Sequence, residues 1–256
     1  MKLIWRRLRT RYYQRRLRRK DLPELIRDYL QAFHGFNFNK PIVDAEFSVF
    51  DVETTGLSAK RGDRILSISA VRLKEGRIDL SDVFHEIVNP NRDIPPASTV
   101  IHEILPRMVN GKPTIEMILP NFIRYIGASV LVAHHEWLDM SFLNREMSRL
   151  HGVPFQNIVL DTALLDRALL QKRTSGLAAR MMGIDSTLGA VAERYHVTVE
   201  ELHSSFWDAL ATAQIFQRMI KEIQQLGILH LKDLVQLAFT PPSFGVVKPD
   251  HFSASM

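Results

Sequence analysis

Phe50-Asp51-Val52-Glu53-Thr54-Thr55-Gly56-Leu57 decides the fold, because it places two carboxylates two residues apart at the end of an apolar run, just before a glycine. Side chains alternate between the two faces of a strand, so Asp51 and Glu53 project from the same face. Two carboxylates on one rigid face suit a divalent cation that prefers oxygen ligands, such as Mg²⁺ or Mn²⁺. An edge strand with a solvated acidic face accounts for this pair equally well. Further carboxylates elsewhere in the chain are needed to distinguish a metal site from such a face.

Two further acids lie where one predicted element gives way to another. Asp139 follows the apolar run from Leu131 to Ala133, where a short strand pattern changes to a helical one. Asp208 lies in the first turn of a long predicted helix, and His203 precedes it by five positions. Three separate segments therefore each place an acid at the boundary of an element, which indicates one shared site.

These segments resemble the motifs of the DEDDh 3′–5′ exonucleases, the family that includes the proofreading epsilon subunit of bacterial DNA polymerase III. The first motif, Asp-x-Glu-Thr-Thr-Gly-Leu, matches from Asp51 to Leu57, and the third, His-x4-Asp-Ala, matches from His203 to Ala209. The resemblance runs from about residue 45 to about residue 223, and its two motifs are specific in combination.

The second motif of the family is only partly matched. It usually reads His-Asn-Ala-x-Phe-Asp-x-x-Phe-Leu, and the residues that agree with it are His134, Asp139, Phe142 and Leu143. Those that depart are His135, Glu136 and Leu138. His135 replaces an asparagine, and the resemblance implies that it changes either the orientation of the helix that carries Asp139 or the contact with the terminal nucleotide. We expect Glu136 to point to solvent.

The resemblance implies two-metal hydrolysis of phosphodiester bonds, in which ions about 3.5–4 Å apart stabilise the attacking and the leaving oxygen. Four carboxylates would hold two Mg²⁺ or Mn²⁺ ions, namely Asp51, Glu53, Asp139 and Asp208. His203, on a predicted mobile loop from Glu200 to Ser205, would take a proton from the metal-bound water, since histidine changes charge near neutral pH. The products would be 5′-mononucleotides released from a 3′ end.

Residues around these acids receive other interpretations. In the family, the segment after the glutamate touches the terminal nucleotide through backbone groups and an apolar wedge, which implies substrate contacts from Thr54, Thr55 and Leu57. Asp161 is expected to cap the helix that follows it, because aspartate is favoured at the N-cap. His102 is expected to line a loop wall rather than to bind metal.

Composition agrees with an ordinary soluble enzyme, and length alone allows one or two domains. The 256 residues are 46% hydrophobic, enough for one sizeable core. No run approaches the roughly 18 apolar residues that span a bilayer, and no apolar segment of a secretory signal follows the basic N-terminus. The chain has no cysteine, which excludes disulfides and thiolate metal sites and fits a reducing compartment. We therefore expect a cytoplasmic protein.

The positive charge is concentrated in the first 20 residues, which we call the basic arm. It holds ten Lys or Arg and no acid, whereas the rest of the chain has 23 basic and 28 acidic groups. Apolar residues at near-helical spacing predict a basic amphipathic helix. Such a helix can follow phosphates while aromatic side chains stack on bases. The candidate contacts with nucleic acid are Arg6, Arg7, Arg9, Arg11, Arg15 and Arg16.

Other roles for the basic arm fit its composition as well. It could lie on an anionic membrane surface, dock on an acidic partner or remain a solvated tail. A mitochondrial transit peptide is also rich in arginine, but the arm has no serine and one threonine, which argues against that role. Contact with nucleic acid is the leading interpretation.

The pattern of elements predicts an α/β fold. Three strand-like runs joined by short polar turns predict an antiparallel meander, at 47–54, 65–73 and 83–88. Alternation follows, with strands at 130–133 and 158–160 and helices at 114–126, 138–150, 162–171, 188–195 and 206–226. The family resemblance narrows this class to a ribonuclease H-like mixed sheet, three antiparallel strands plus parallel strands flanked by helices, with the carboxylates at one end of the central strands.

We divide the chain into four parts. They are the basic arm (1–20), an N-terminal helix and linker (21–44), the exonuclease domain (45–228), and a short helix with a flexible tail (229–256). The helix of the second part is predicted to begin with Asp21 as its N-cap and Pro23 in its first turn. Its apolar residues should pack it onto the main domain, namely Leu22, Leu25, Ile26, Tyr29 and Phe33.

Two classes of function remain open on the sequence. The first is a metal-dependent exonuclease that acts on single-stranded DNA or DNA 3′ ends in proofreading or repair, with a DNA polymerase subunit as a partner. The second is a non-catalytic module that binds nucleic acid or a polymerase. Within the enzyme class, RNA trimming is the alternative, because no residue reports on a 2′-hydroxyl preference.

Deletion of residues 1–20 should weaken the affinity for substrate and flatten its salt dependence, because neutralised phosphates release counterions. Turnover at saturating substrate should persist, since the arm would contribute uniform binding. The measurement is the dissociation constant of a labelled oligomer across a salt series, with an arm whose arginines are replaced by glutamine as the length-matched control. An unchanged slope would assign the arm to a membrane or a protein instead.

Overall fold

The computed structural model describes residues 22–173, 184–200 and 203–239. The basic arm, residue 21 and the tail from residue 240 lie outside this part of the chain, so the predictions for the arm and the tail stay predictions. Within the described residues, no helix combines the length and the apolar character needed to cross a bilayer.

A five-stranded mixed sheet forms the centre of the fold. Its strands are β1 (Phe47–Thr54), β2 (Ile65–Lys74), β3 (Arg77–Ile87), β4 (Val130–Ala133) and β5 (Val159–Asp161). They lie in the order β3-β2-β1-β4-β5, with antiparallel pairing from β3 to β1 and parallel pairing from β1 to β5. The predicted arrangement of three antiparallel strands plus parallel strands is confirmed.

Helices cover both faces of the sheet. In the described part of the chain they are α1 (Glu24–Gln31), α2 (Pro96–His102), α3 (Pro106–Val109), α4 (Ile115–Ile126), α5 (Trp137–His151), α6 (Thr162–Arg173), α7 (Leu188–Arg194), α8 (Ser205–Gln225) and α9 (Leu231–Phe239). Short 3-10 turns occupy Ile42–Asp44 and Ala59–Arg61. The longer helices begin and end within two residues of the predicted bounds, because their apolar periodicity is strong.

The alternation of side chains along β1 sorts the core into two layers. Phe47 and Val49 pack with the layer that contains α6, α7, α8 and α9. Phe50 and Val52 pack with the opposite layer, which contains α1, α4 and α5. Because the period of a strand is two residues, the carboxylates at 51 and 53 continue the first row and face α8.

Helix α1 packs on the main domain through the predicted apolar residues, of which Ile26 and Tyr29 are buried. The Tyr29 hydroxyl donates to Asn157 Oδ1 at 2.6 Å and accepts from the amide of Gln156 at 2.7 Å. The predicted N-cap at Asp21 is wrong, because Pro23 occupies the N-cap and the helix begins at Glu24. Proline has no N–H and a preset φ, so it serves at the start of a helix without a side-chain cap.

Two departures from the predicted elements have local causes. Strand β3 begins at Arg77 rather than at residue 83, because a tight turn at Glu75-Gly76, with φ of 52° and 72°, pairs it with the end of β2. Positive φ at both central residues is typical of a type I′ hairpin. Helices α2 and α3 were not predicted, because each is too short to show apolar periodicity and only its initial proline marks it.

Candidate active site

Three carboxylates meet at the end of β1. Asp51, Glu53 and Asp208 each place an oxygen within 4.8 Å of the oxygens of the other two. The first two project from β1, and the third lies in the first turn of α8, which packs across β1 and β2. The structure therefore brings the acids of the first and third sequence motifs into one group.

Asp139 approaches the same place from the other side of the sheet. It lies in the first turn of α5 and is buried, and its Oδ1 accepts a hydrogen bond from the backbone N–H of Val52 at 3.3 Å. That amide belongs to the residue between the two carboxylates of β1. The bond therefore ties α5 to the strand that carries Asp51 and Glu53.

The pKa values of all four acids lie above their usual ranges. Burial raises the pKa of Asp51 well above its usual range, and the charge of Asp139 raises it further. Burial and the charge of Asp208 raise the pKa of Glu53 to about 9. Burial also raises the pKa of Asp208 to about 6 and that of Asp139 above its usual range. A cation among these groups would relieve this repulsion.

A buried oxygen on Asp208 fits the same conclusion. Asp208 Oδ2 accepts the backbone N–H of His203 at 3.0 Å, whereas Oδ1 is buried and has no hydrogen-bond partner among the described residues. An unpaired buried carboxylate oxygen is costly unless a cation or ordered water satisfies it. Clustered carboxylate oxygens are the donor set that Mg²⁺ and Mn²⁺ prefer, so the residues present fit a divalent metal.

His203 lies on the exposed rim of the carboxylate group. Its φ of +66° places it in the left-handed region, which a residue other than glycine seldom adopts. The hydrogen bond from its own amide to Asp208 helps to hold that conformation. Residues 201 and 202 lie outside the described part of the chain, so the predicted mobility of this loop stays a prediction.

The two histidines of the second motif have different surroundings. His134 Nδ1 lies 2.9 Å from Thr162 Oγ1 and its Nε2 lies 2.8 Å from the carbonyl of Ser186, while burial lowers its pKa to about 4. His135 has a φ of +56°, and its amide donates to Asp161 Oδ1 at 3.2 Å. His134 therefore has a structural role, because it links the end of β4 to Thr162 and Ser186. His135 forms a bend just before the helix that carries Asp139.

Asp161 and Glu136 complete the surroundings of the second motif. Asp161 Oδ1 also accepts the amide of Ala163 at 2.8 Å, which agrees with its expected role as a helix cap. Glu136 was expected to point to solvent, but it is half-buried and its charge contributes to the raised pKa of Asp139. The departure at this position therefore adds negative charge beside the carboxylate group.

The segment after Glu53 is folded against the body of the domain. The amide of Thr55 donates to the carbonyl of Arg64 at 2.8 Å, its hydroxyl accepts the Arg64 amide at 3.0 Å, and its carbonyl accepts the Ser98 hydroxyl at 2.9 Å. Thr54 is buried, and its hydroxyl donates to the carbonyl of Gly56 at 2.7 Å. Among the three predicted substrate contacts, Leu57 exposes most of its side chain, 67%.

Gly56 allows the turn between these contacts. A Cβ atom at this position would lie 2.6 Å from Asp63 Oδ2, closer than real Cβ contacts allow. Asp63 accepts the amide of Ser58 at 3.0 Å and faces Arg92, so its carboxylate is held in place. His102, which was expected to line a loop wall, is instead the buried last residue of α2, and its Nδ1 accepts the amide of Ile104 at 3.0 Å.

A mixed sheet with helices on both faces and four carboxylates at one end is the arrangement of a metal-dependent nuclease with a ribonuclease H-like fold. The chain belongs to the RNase_T family, described as Exonuclease, whose model matches residues 48–216. The predicted family and fold are confirmed.

Two curated relatives share more than a third of the aligned residues. The "DNA polymerase III PolC-type" protein of Clostridium perfringens is 36% identical over 197 residues, which are 76% of this chain and 12% of the relative. The "DNA polymerase III subunit epsilon-like protein" of Rhodobacter capsulatus is 37% identical over 190 residues, which are 73% of this chain and 25% of the relative. The chain thus spans a quarter or less of the length of these relatives.

A solved structure shows the same fold at low sequence identity. The nuclease domain of 3′hExo, described as a DEDDh family member bound to rAMP, superposes with a TM-score of 0.57. The match is 18% identical and covers 72% of this chain and 95% of that one.

The raised pKa of Glu53 predicts how stability depends on pH without metal. The folded protein keeps a proton on this group from its ordinary pKa of 4.5 up to about 9, whereas the unfolded chain releases it. The melting temperature in EDTA should therefore fall as the pH rises across that window, and added Mn²⁺ should raise it most at the alkaline end.

Glu53→Gln should raise the metal-free melting temperature at pH 8, because glutamine is neutral and of similar shape and needs no proton to fold. It should also reduce the increase on adding Mn²⁺, because an amide is a weaker metal ligand than a carboxylate. The measurement is thermal unfolding from pH 5 to pH 9, with and without metal. Glu193→Gln, at an exposed position of α7, is the matched control. Equal responses of the two variants would contradict a metal site at Glu53.

Proposed function

We propose that this chain is a metal-dependent 3′–5′ exonuclease that hydrolyses DNA from the 3′ end and releases 5′-mononucleotides. The observation that carries the proposal is the group of carboxylates from two separate elements, Asp51 and Glu53 on β1 and Asp208 on α8, whose oxygens lie within 4.8 Å of one another on the fold of an exonuclease family. The unpaired oxygen of Asp208 supports a cation in that group.

Two Mg²⁺ or Mn²⁺ ions would be held by Asp51, Glu53, Asp139 and Asp208. When bound, such ions activate a water and stabilise the attacking and leaving oxygens of the phosphodiester. The residues of the chain contribute the rest. The two acids of β1 sit on a rigid strand, and the amide of Val52 holds Asp139 beside them.

His203 is the candidate general base. Its exposed position on the rim lets the ring approach a water held by the acids, while its backbone remains fixed to Asp208. Leu57 exposes most of its side chain in the turn that follows β1 and would act as the apolar wedge against the terminal base. Thr54 and Thr55 would support that turn from within, and His135 would set the approach of α5.

DNA is the proposed substrate, and a DNA polymerase is a proposed partner, because both curated relatives are named as DNA polymerase III proteins. RNA is the alternative substrate, since the DEDDh neighbour was solved with rAMP. The basic arm would add phosphate contacts, and a membrane contact of that arm is the competing role.

The test is degradation of matched 5′-labelled single-stranded DNA and RNA oligomers in Mg²⁺, Mn²⁺ or EDTA. The wild type should produce a ladder that shortens from the 3′ end with either metal and stay inactive in EDTA. Asp51→Asn and Asp208→Asn should each lower the rate by at least about 100-fold, because the metals would lose a charged ligand, while binding of the oligomer should persist.

Glu146→Gln is the matched control. Glu146 is a buried acid on α5, the helix that carries Asp139, but it pairs with Arg64 and Arg149 away from the carboxylate group. Its loss should lower the melting temperature and leave turnover within about threefold of the wild type. Wild-type rates in Asp51→Asn or Asp208→Asn would refute the metal-dependent mechanism. Degradation of the RNA oligomer alone would identify RNA, not DNA, as the substrate.

A further inference from the structure

A chain of hydroxyl groups joins the start of α8 to the sheet beside the carboxylate group. Ser205 Oγ lies 2.8 Å from Ser67 Oγ and 2.7 Å from Ser69 Oγ, and Ser69 Oγ lies 2.8 Å from His85 Nδ1. The three serines are buried, with exposures of 2% or less, whereas His85 lies at the exposed edge of the sheet. We call these four residues the serine–histidine network.

The network runs directly beside the proposed metal ligands. In the register of the sheet, Asp51 on β1 is opposite Ser69 on β2, which in turn is opposite His85 on β3. Glu53 is opposite Ser67 in the neighbouring row. Residues directly opposite one another share a face of the sheet, so the hydroxyls and the carboxylates form two adjacent lines on the face that α8 covers.

The hydrogen bonds of the network are all satisfied when the hydroxyl groups donate in one direction along the chain. With a neutral His85 that accepts at Nδ1, Ser69 donates to His85, Ser205 donates to Ser69, and Ser67 donates to Ser205. Partial burial lowers the pKa of His85, which agrees with a neutral ring. In the reverse direction the hydroxyl proton of Ser67 would have no partner in the network, which is costly for a buried group.

The network attaches a first turn of α8 that has no side-chain cap in the described part of the chain. The N-cap of this helix, Ser204, makes no side-chain capping bond among the described residues, so the usual anchor of a first turn is missing. Ser205 is the first residue of the helix, three positions before Asp208 and two after His203. The ring of Phe206 adds an edge contact with His85, with centroids 6.1 Å apart.

We propose that the serine–histidine network positions Asp208 and His203, so that Ser205 and His85 are positioning residues for the exonuclease reaction. The network fixes the first turn of α8 against β2. It thereby sets the distance from Asp208 on α8 to Asp51 and Glu53 on the neighbouring strand β1. The proposal rests on the proposed function, because it names residues that serve the same site.

The test uses Ser205→Ala, His85→Leu, His85→Asn and the double variant of Ser205→Ala with His85→Leu. His151→Leu is the control, since it makes the same histidine-to-leucine change at the end of α5, away from the network, where Nε2 is buried without a partner among the described residues. The measurements are kcat and KM on a 5′-labelled DNA oligomer, the dissociation constant for Mn²⁺ and the melting temperature.

Ser205→Ala should lower kcat by about 10- to 100-fold with little change in KM, because small displacements of a catalytic group cost rates of this order. It should also weaken Mn²⁺ binding. His85→Leu should act in the same direction, and His85→Asn, which keeps an acceptor near the position of Nδ1, should recover most of the loss. The double variant should be no slower than Ser205→Ala, since both changes interrupt one network.

Wild-type kcat and Mn²⁺ affinity in Ser205→Ala would overturn the proposal, as would an equal fall in kcat for His151→Leu or multiplied effects in the double variant. His85 lies at an exposed edge, so its variants should fold even if Ser205→Ala proves unstable. Failure of the proposed function has a different signature, because the wild type itself would not shorten the oligomer. The Mn²⁺ affinities of wild type and variants would then still report on the network.

Discussion

Repulsion among buried and half-buried carboxylates is the constraint on which this structure depends. Four acids from β1, α5 and α8 converge at one end of the sheet, and each raises the pKa values of its neighbours or has its own raised by burial. A fold tolerates such a group only if the elements that carry it are anchored elsewhere. The large apolar layers on both faces of β1 meet that need, because they hold the strand while its end carries the unfavourable charge.

Function and stability are therefore in tension at the end of β1. The acids gain nothing from one another without a cation, yet burial keeps water from screening them. Hydrogen bonds from backbone amides to Asp139 and Asp208 offset part of this cost, and both bonds come from residues beside the site. The polar groups around the site thus orient the acids while the apolar layers hold the domain together.

Most of the fold could be predicted from the sequence, because strand alternation and helical periodicity are local signals. The four acids could be placed at the ends of elements for the same reason. Sequence could not show that Thr55 makes hydrogen bonds with Arg64 and Ser98, or that Glu136 is half-buried and raises the pKa of Asp139. Both facts depend on how loops fold back. The serine–histidine network was also missed, because its members lie on three elements and no short spacing links them.

The left-handed backbone at His135 and His203 affects how either residue can be studied. Both residues have a positive φ, a conformation that is unfavourable for any residue with a Cβ atom. Surrounding contacts hold them in it. Replacement by alanine would remove the ring and leave the backbone with the same cost, so a change in rate would mix two causes. Asparagine adopts this conformation more readily than most residues and lacks an imidazole, so it separates the chemistry of the ring from the shape of the chain.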